Sequence, residues 1–254
     1  ALVLTGGAML VLPALAPDPA KRARAISREQ GILVGYGDPA TFYVPPYLPE
    51  DAKLPRVEMR PAERAALLPA LEGIEASLRQ YPPGFVAKLI KAIFIAGWIA
   101  IDGIEAGGTY GYAWVLLAAP IAIGAANITL TCRLGVHHEL SSFVYNRGDT
   151  ARLWGETHPK NWRFTTSTKL EIGRAKRSAP SPETGFLSAY GATTPENDFN
   201  VYAEKMMTEM PVVMQLAKQV PLIARKVAFV RQRYVEIDPR MDEVFLQMEL
   251  PPAG

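Results

Sequence analysis

Residues 135–145 read GVHHELSSFVY, and this stretch decides which fold we expect for the chain. Its apolar residues recur at helical spacing, so the sequence predicts a helix over residues 136–146. Successive residues of an α-helix are rotated by about 100°. His138 and Ser142 therefore share a face, whereas the neighbouring His137 points away and cannot readily bind the same ion. A site on this helix would be led by one histidine.

The pair His138-Glu139, followed by Ser142, has the skeleton of the HExxH motif of zinc peptidases. In that motif two histidines bind zinc and the glutamate activates a water molecule. Ser142 stands where the second histidine would be, and a neutral hydroxyl is a poor zinc ligand. The motif alone leaves two interpretations open: a metal site led by His138, or a structural His-Glu pair that caps or bridges elements.

The chain before this helix carries very little charge. Residues 93–101 read IFIAGWIAI, and residues 106–132 contain no charged side chain, which is long enough by count for a membrane span. Both runs are rich in β-branched and aromatic residues and are interrupted by glycines, as is typical of buried strands joined by tight turns. We expect a small sheet over residues 92–131. A membrane hairpin within residues 85–132 is the alternative.

Helical patterns flank these segments. Residues 61–78 begin with a proline and continue with leucine and isoleucine at spacings of three and four, which predicts a helix. A second helix is expected after Thr194, a plausible N-cap, with Pro195 at its first position and acidic residues in its first turn. Residues 206–235 have the pattern of further helices interrupted by two prolines.

In this order the segments resemble the zinc-binding metallopeptidases of the gluzincin type. In those proteins an HExxH helix is followed some tens of residues later by a helix of the form GF.S.YA.TNP.EDFAEYAE. The matching piece is GFLSAYGATTPENDFNVYAE, at residues 185–204. The resemblance covers roughly residues 81–210. It implies an α+β, zincin-like fold with a small mixed sheet packed on the His-Glu helix and a helical C-terminal part.

The resemblance also implies a set of zinc ligands. His138 matches the first zinc histidine and Asp198 the acidic ligand on the later helix, with Glu196 as the competing choice. Ser142 breaks the set. Ser142 itself, Glu139, Glu196 or the distant His158 would have to complete the zinc coordination.

Two further residues receive catalytic roles from the resemblance. Glu139 matches the general base, and Tyr190 matches a tyrosine that hydrogen-bonds a tetrahedral oxyanion. Zinc would supply a bound water of near-neutral pKa that can attack an amide.

Three functions follow as expectations. The leading one is a zinc metallopeptidase-like hydrolase, in an intact or a degenerate form, that acts on peptide or protein substrates. The second is a catalytically inactive zincin-fold protein that binds a protein or peptide, and the missing second histidine favours it. The third is a small integral membrane protein with spans in residues 85–132.

Composition bounds these choices. The 254 residues include 27 Lys and Arg against 25 Asp and Glu, a balance that does not indicate nucleic acid as a partner. The single cysteine, Cys132, cannot form an intrachain disulfide.

Residues 1–16 carry no charge and have the size of a signal-peptide apolar region, so we expect a secreted or cell-envelope protein, with an apolar arm of the fold as the alternative. The expected division is residues 1–20 as signal remnant or arm and residues 21–254 as one metallopeptidase-like domain.

Two segments are expected at the surface. Residues 39–55 are too rich in proline for a regular helix or a central strand. Residues 160–177 form a basic loop, in which Glu171 is opposed by Lys160, Arg163, Lys169, Arg174, Lys176 and Arg177.

Overall fold

Strands and helices alternate in the first half of the chain, and helices make up the second half. A computed structural model describes residues 18–38, 41–42, 57–160, 162–164 and 182–250. The strands are β1 (Leu33–Tyr36), β2 (Val57–Pro61), β3 (Ala92–Ile101), β4 (Ile104–Glu105), β5 (Gly108–Gly111) and β6 (Trp114–Ala118). The helices are α1 (Pro19–Gln30), α2 (Arg64–Leu78), α3 (Ala125–Tyr145), α4 (Thr150–Gly155), α5 (Pro195–Thr208), α6 (Met210–Gln219), α7 (Pro221–Ile237) and α8 (Met241–Glu249).

The strands form one mixed sheet with β3 at its centre. β3 pairs in parallel with β1 and β6 and antiparallel with β2 and β4, and β5 pairs antiparallel with β6. Both faces of β3 are covered: Ile93 and Ile95 belong to the main core, whereas Phe94 packs in a smaller cluster on the opposite face. Burial on two faces explains why this strand needs no polar alternation.

The sheet ends earlier than the sequence predicted. The last strand stops at Ala118, residues 121–123 form a short 3-10 helix, and α3 already begins at Ala125. The prediction of strand over residues 125–131 is therefore wrong. The uncharged run lacks a clear period at this point, so its composition did not separate a strand from the first turns of a buried helix.

The membrane hairpin is also wrong, because residues 92–101 form a sheet strand rather than a membrane helix. Within the described ranges, no helix has both the length and the apolar character needed to cross a bilayer.

The α2 helix packs against α3 and fixes its position under the sheet. It begins at Arg64 rather than at Pro61, because Pro61 is the last residue of β2 and pairs with Ala96. Its predicted apolar face is confirmed: Leu71 and Ile74 are fully buried.

The C-terminal helices surround α5. Thr194 caps α5, since its hydroxyl accepts a hydrogen bond of 3.0 Å from the backbone N–H of Asn197. Phe199, Tyr202 and Met206 bury the apolar face of this helix. Prolines stand at the starts of α6 and α7, as predicted. The architecture is thus the expected α+β fold, with a small mixed sheet and a helical C-terminal part.

Some expectations fall outside the described residues. These are the apolar segment 1–17, most of the proline-rich segment 39–55, and Lys169, Glu171, Arg174, Lys176 and Arg177 of the basic loop. They remain predictions.

Candidate functional site

A cleft of about 580 Å³ opens between the edge of the sheet, α3 and α5. Its apolar lining comes from Ile101, Ile104, Ala106, Leu134 and Val201. Its polar lining comes from Glu105, Thr131, His138, Glu139, Ser188, Tyr190, Glu204 and Lys205, and three glycines, Gly107, Gly108 and Gly135, complete it.

The structure brings three of the predicted site residues to this cleft: His138, Glu139 and Tyr190. The ring centroids of His138 and Tyr190 are 5.8 Å apart. Burial raises the pKa of the Tyr190 phenol, and the nearby carboxylate of Glu139 raises it further. The phenol therefore keeps its proton at neutral pH.

Glu139 lies where the sheet edge comes closest to α3. Its side chain is largely buried, and a Cβ at Gly108 would lie 2.9 Å from its Oε1. Glycine at position 108 thus leaves room for the carboxylate beneath β5.

His138 is held by a glutamate that the sequence interpretation did not single out. Its Nδ1 lies 3.0 Å from Oε2 of Glu204, and both side chains are only partly exposed. Glu204 is the last residue of the piece of sequence that carries the resemblance, and no motif marks it as the partner of His138.

Where the motif has its second histidine, uncharged side chains form a hydrogen-bonded cluster. The Oγ of Ser142 accepts a hydrogen bond of 2.8 Å from Nδ2 of Asn200, and Ser141 donates one of 2.7 Å to Oδ1 of the same amide. Ser141 and Ser142 are fully buried. These bonds join α3 to α5 at the position where the motif has a metal ligand.

Asp198 lies elsewhere. Its Oδ2 contacts Nζ of Lys226 at 2.6 Å and Nε2 of His158 at 2.9 Å, and the side chain is fully buried. Glu204 follows Asp198 by six positions on α5, which corresponds to about 9 Å along the helix and about 120° around it. The structure therefore pairs His138 with Glu204 and brings Asp198 to His158, rather than bringing Asp198 to His138 as the resemblance implied.

Glu196, the competing ligand, accepts a hydrogen bond of 2.5 Å from the hydroxyl of Tyr110 on β5. With Asn200 and Glu204 it forms a row on one face of α5, at intervals of four residues. Each residue of this row makes a polar contact with α3 or with the sheet edge.

The donor set does not fit a catalytic zinc site. Such a site takes three protein ligands and leaves one position open. Across the described ranges, no three His, Cys, Asp or Glu residues lie together in a way that could hold a metal ion. His138 and Glu204 supply two donors, and the hydroxyl of Ser142 is engaged by Asn200.

Comparison with known proteins supports the fold. No family model matches the chain, and no curated protein matches it. A solved structure from Bacteroides caccae, described as a "putative zinc-binding metallo-peptidase", matches with a TM-score of 0.51 and 15% identity over 94% of this chain and 95% of that chain. At this identity the likeness establishes the fold alone. The chain shares with that structure the α+β fold that the sequence predicted, with a small mixed sheet and a helical C-terminal part.

Proposed function

We propose that the protein binds an extended peptide or protein segment in the cleft and that this binding does not require zinc. The observation that carries the proposal is the hydrogen bond between Ser142 and Asn200, which takes the place of a metal ligand beside a cleft of about 580 Å³.

The edge strand β5 supports peptide binding. Within the described part of the sheet, β5 pairs with β6 on one side and ends the strand order on the other. An extended peptide can add to such an edge through backbone hydrogen bonds. Gly107 and Gly108 lack side chains at the cleft, so the backbone of a bound peptide can come close to them.

The lining also favours a class of peptide. Glu105, Glu139 and Glu204 bring three carboxylates to the cleft, whereas the single lysine, Lys205, has its Nζ 2.9 Å from Glu209. Opposite charges attract across a partly buried surface. Peptides with basic and apolar side chains should therefore bind better than acidic ones.

Peptide-bond hydrolysis is the second candidate. Its specific support is that His138, Glu139 and Tyr190 line the same cleft. In this reading Glu139 is the general base and Tyr190 donates a hydrogen bond to the developing oxyanion.

One experiment separates the two. Fluorescein-labelled tryptic peptides of casein are titrated with the full chain, in a chelator and again with added zinc, while anisotropy reports binding and mass spectrometry reports cleavage. We expect equal binding in both conditions and intact peptides. Cleavage that requires zinc and is lost in Glu139→Gln would establish hydrolysis instead, and failure of every peptide to bind would refute the proposal.

Matched variants place the binding in the cleft. Ile104→Arg introduces a bulky cation into the lining and should weaken binding tenfold or more. Val212→Arg makes the same change at a position on α6 that is 53% exposed and away from the cleft, and it should leave binding unchanged.

A further inference from the structure

Lys226 of α7 and Asp198 of α5 form an ion pair in the core, outside the cleft. The Lys226 Nζ is 2.6 Å from Oδ2 of Asp198, and both side chains are 0% exposed. Isolating two charges from water is costly, and the attraction between them offsets that cost only when every remaining polar atom also has a partner.

The surroundings of the Lys226 amine are mostly aromatic. Its Nζ lies 4.3 Å from the ring centroid of Phe186 and 5.3 Å from those of Trp154 and Tyr202. It donates one further hydrogen bond, of 2.9 Å, to the carbonyl of Gly185. Burial lowers the pKa of Lys226, while the carboxylate of Asp198 opposes that change. A neutral lysine amine in a dry pocket is a nucleophile.

The two oxygens of the Asp198 carboxylate differ in their hydrogen bonds. Oδ2 has two partners, Lys226 and the ring nitrogen of His158 at 2.9 Å. Oδ1 is buried, and among the described residues it has no hydrogen-bond partner. A buried carboxylate oxygen without a partner is more costly than a neutral carbonyl oxygen in the same place.

We propose that Lys226 and Asp198 condense into an intramolecular amide bond. Nζ of Lys226 first gives one proton to Oδ2 of Asp198, and the lone pair that this frees then attacks Cγ. The bond from Cγ to Oδ2 breaks, Nζ gives up a second proton, and Oδ2 leaves as water. The ammonium loses two protons, and both go to Oδ2, directly or through the adjacent His158. The step is a dehydration, so it needs no oxidant, reductant or further reactant.

The product removes both charges from the core and leaves Oδ1 as an amide carbonyl oxygen. It also ties α5, which carries Glu204, covalently to α7. Closing the chain between residues 198 and 226 restricts the unfolded state and so stabilises the fold.

The test is the intact mass of the purified full chain. We expect the sequence mass less one water molecule, and a digest that contains a branched peptide joining the segments with Asp198 and Lys226. Soluble, folded protein with the full sequence mass and an ordinary tryptic cleavage after Lys226 would overturn the proposal.

Lys226→Met removes the amine and should restore the full mass expected for its sequence. Lys218→Met, at a lysine on α6 that is not fully buried, is the matched control and should keep the loss of water. A loss that persists in Lys226→Met comes from another site, such as cyclisation at Asp102-Gly103, and overturns the proposal. If Lys226→Met is insoluble, the presence or absence of the branched peptide in the unaltered chain decides.

Discussion

Gly73 of α2 packs against the backbone of α3, the helix that carries His138 and Glu139. A Cβ at this position would lie 2.2 Å from the carbonyl oxygen of Thr129 and 2.9 Å from the backbone nitrogen of Arg133. Neither atom can rotate away as a side chain can. Gly73→Ala must therefore move the two helices apart by about 1 Å, in a core packed as densely as an organic crystal.

The expected change in the free energy of unfolding combines two opposing effects. Overpacking costs about 1–3 kcal/mol, and a contact between two backbones belongs at the upper end of that range. Replacing glycine by alanine within a helix stabilises the folded chain by about 1 kcal/mol. The free energy of unfolding should thus fall by about 2 kcal/mol, which lowers the melting temperature of a chain this size by roughly 4–8 °C.

Gly155→Ala is the matched control, because Gly155 ends α4 and a Cβ there meets nothing within 4 Å. It should be neutral or stabilising by up to about 1 kcal/mol. Urea unfolding followed by circular dichroism measures both variants. Equal free energies of unfolding for the two variants would refute the account of helix packing.

Three further predictions concern the site and its surroundings. Gly108→Ala would place a methyl group 2.9 Å from Oε1 of Glu139 and should weaken peptide binding severalfold in the anisotropy assay. Gly155→Ala, which meets nothing within 4 Å and lies outside the cleft lining, should not, and equal effects would contradict the cleft geometry. Ser142→His should raise the zinc retained after dialysis at least tenfold, because this position shares a helical face with His138. Unchanged metal content would contradict the view that a second histidine is what the site lacks. Burial lowers the pKa of His137 to about 3. In the unfolded chain His137 takes up a proton near pH 6.5, whereas in the folded chain it does not. The free energy of unfolding should therefore decrease by about 1.4 kcal/mol per pH unit as the pH falls from about 6 to 4. His137→Gln should flatten that slope in urea titrations, and an unchanged slope would assign it to other groups.

Local patterns in the sequence were sufficient for α2 and α5, whereas α1 and α4 were not predicted. The cap at Thr194 and the buried face of Phe199, Tyr202 and Met206 follow from residue type and spacing alone. The start of α3 did not follow, because an uncharged run without a clear period fits a buried strand and a buried helix equally well.

Only the part of the candidate site that lies on α3 could be predicted from the sequence. His138 and Ser142 lie on one helix, so their common face follows from helical geometry. The partner of His138 depends on how α5 is rotated against α3, and that rotation is set by packing of the apolar face of α5 in the core. The acidic residues Asp198 and Glu204 lie on different faces of that helix, and only the packed structure shows that Glu204 is the one that reaches His138.

The central claim is that the cleft binds peptides without zinc. The most direct measurement is the dissociation constant of a labelled basic peptide from the casein digest, determined by anisotropy for the full chain in excess chelator and in added zinc. The account predicts the same constant in both conditions and no cleavage products. Binding that appears only with zinc, or hydrolysis of the peptide when zinc is added, would contradict it.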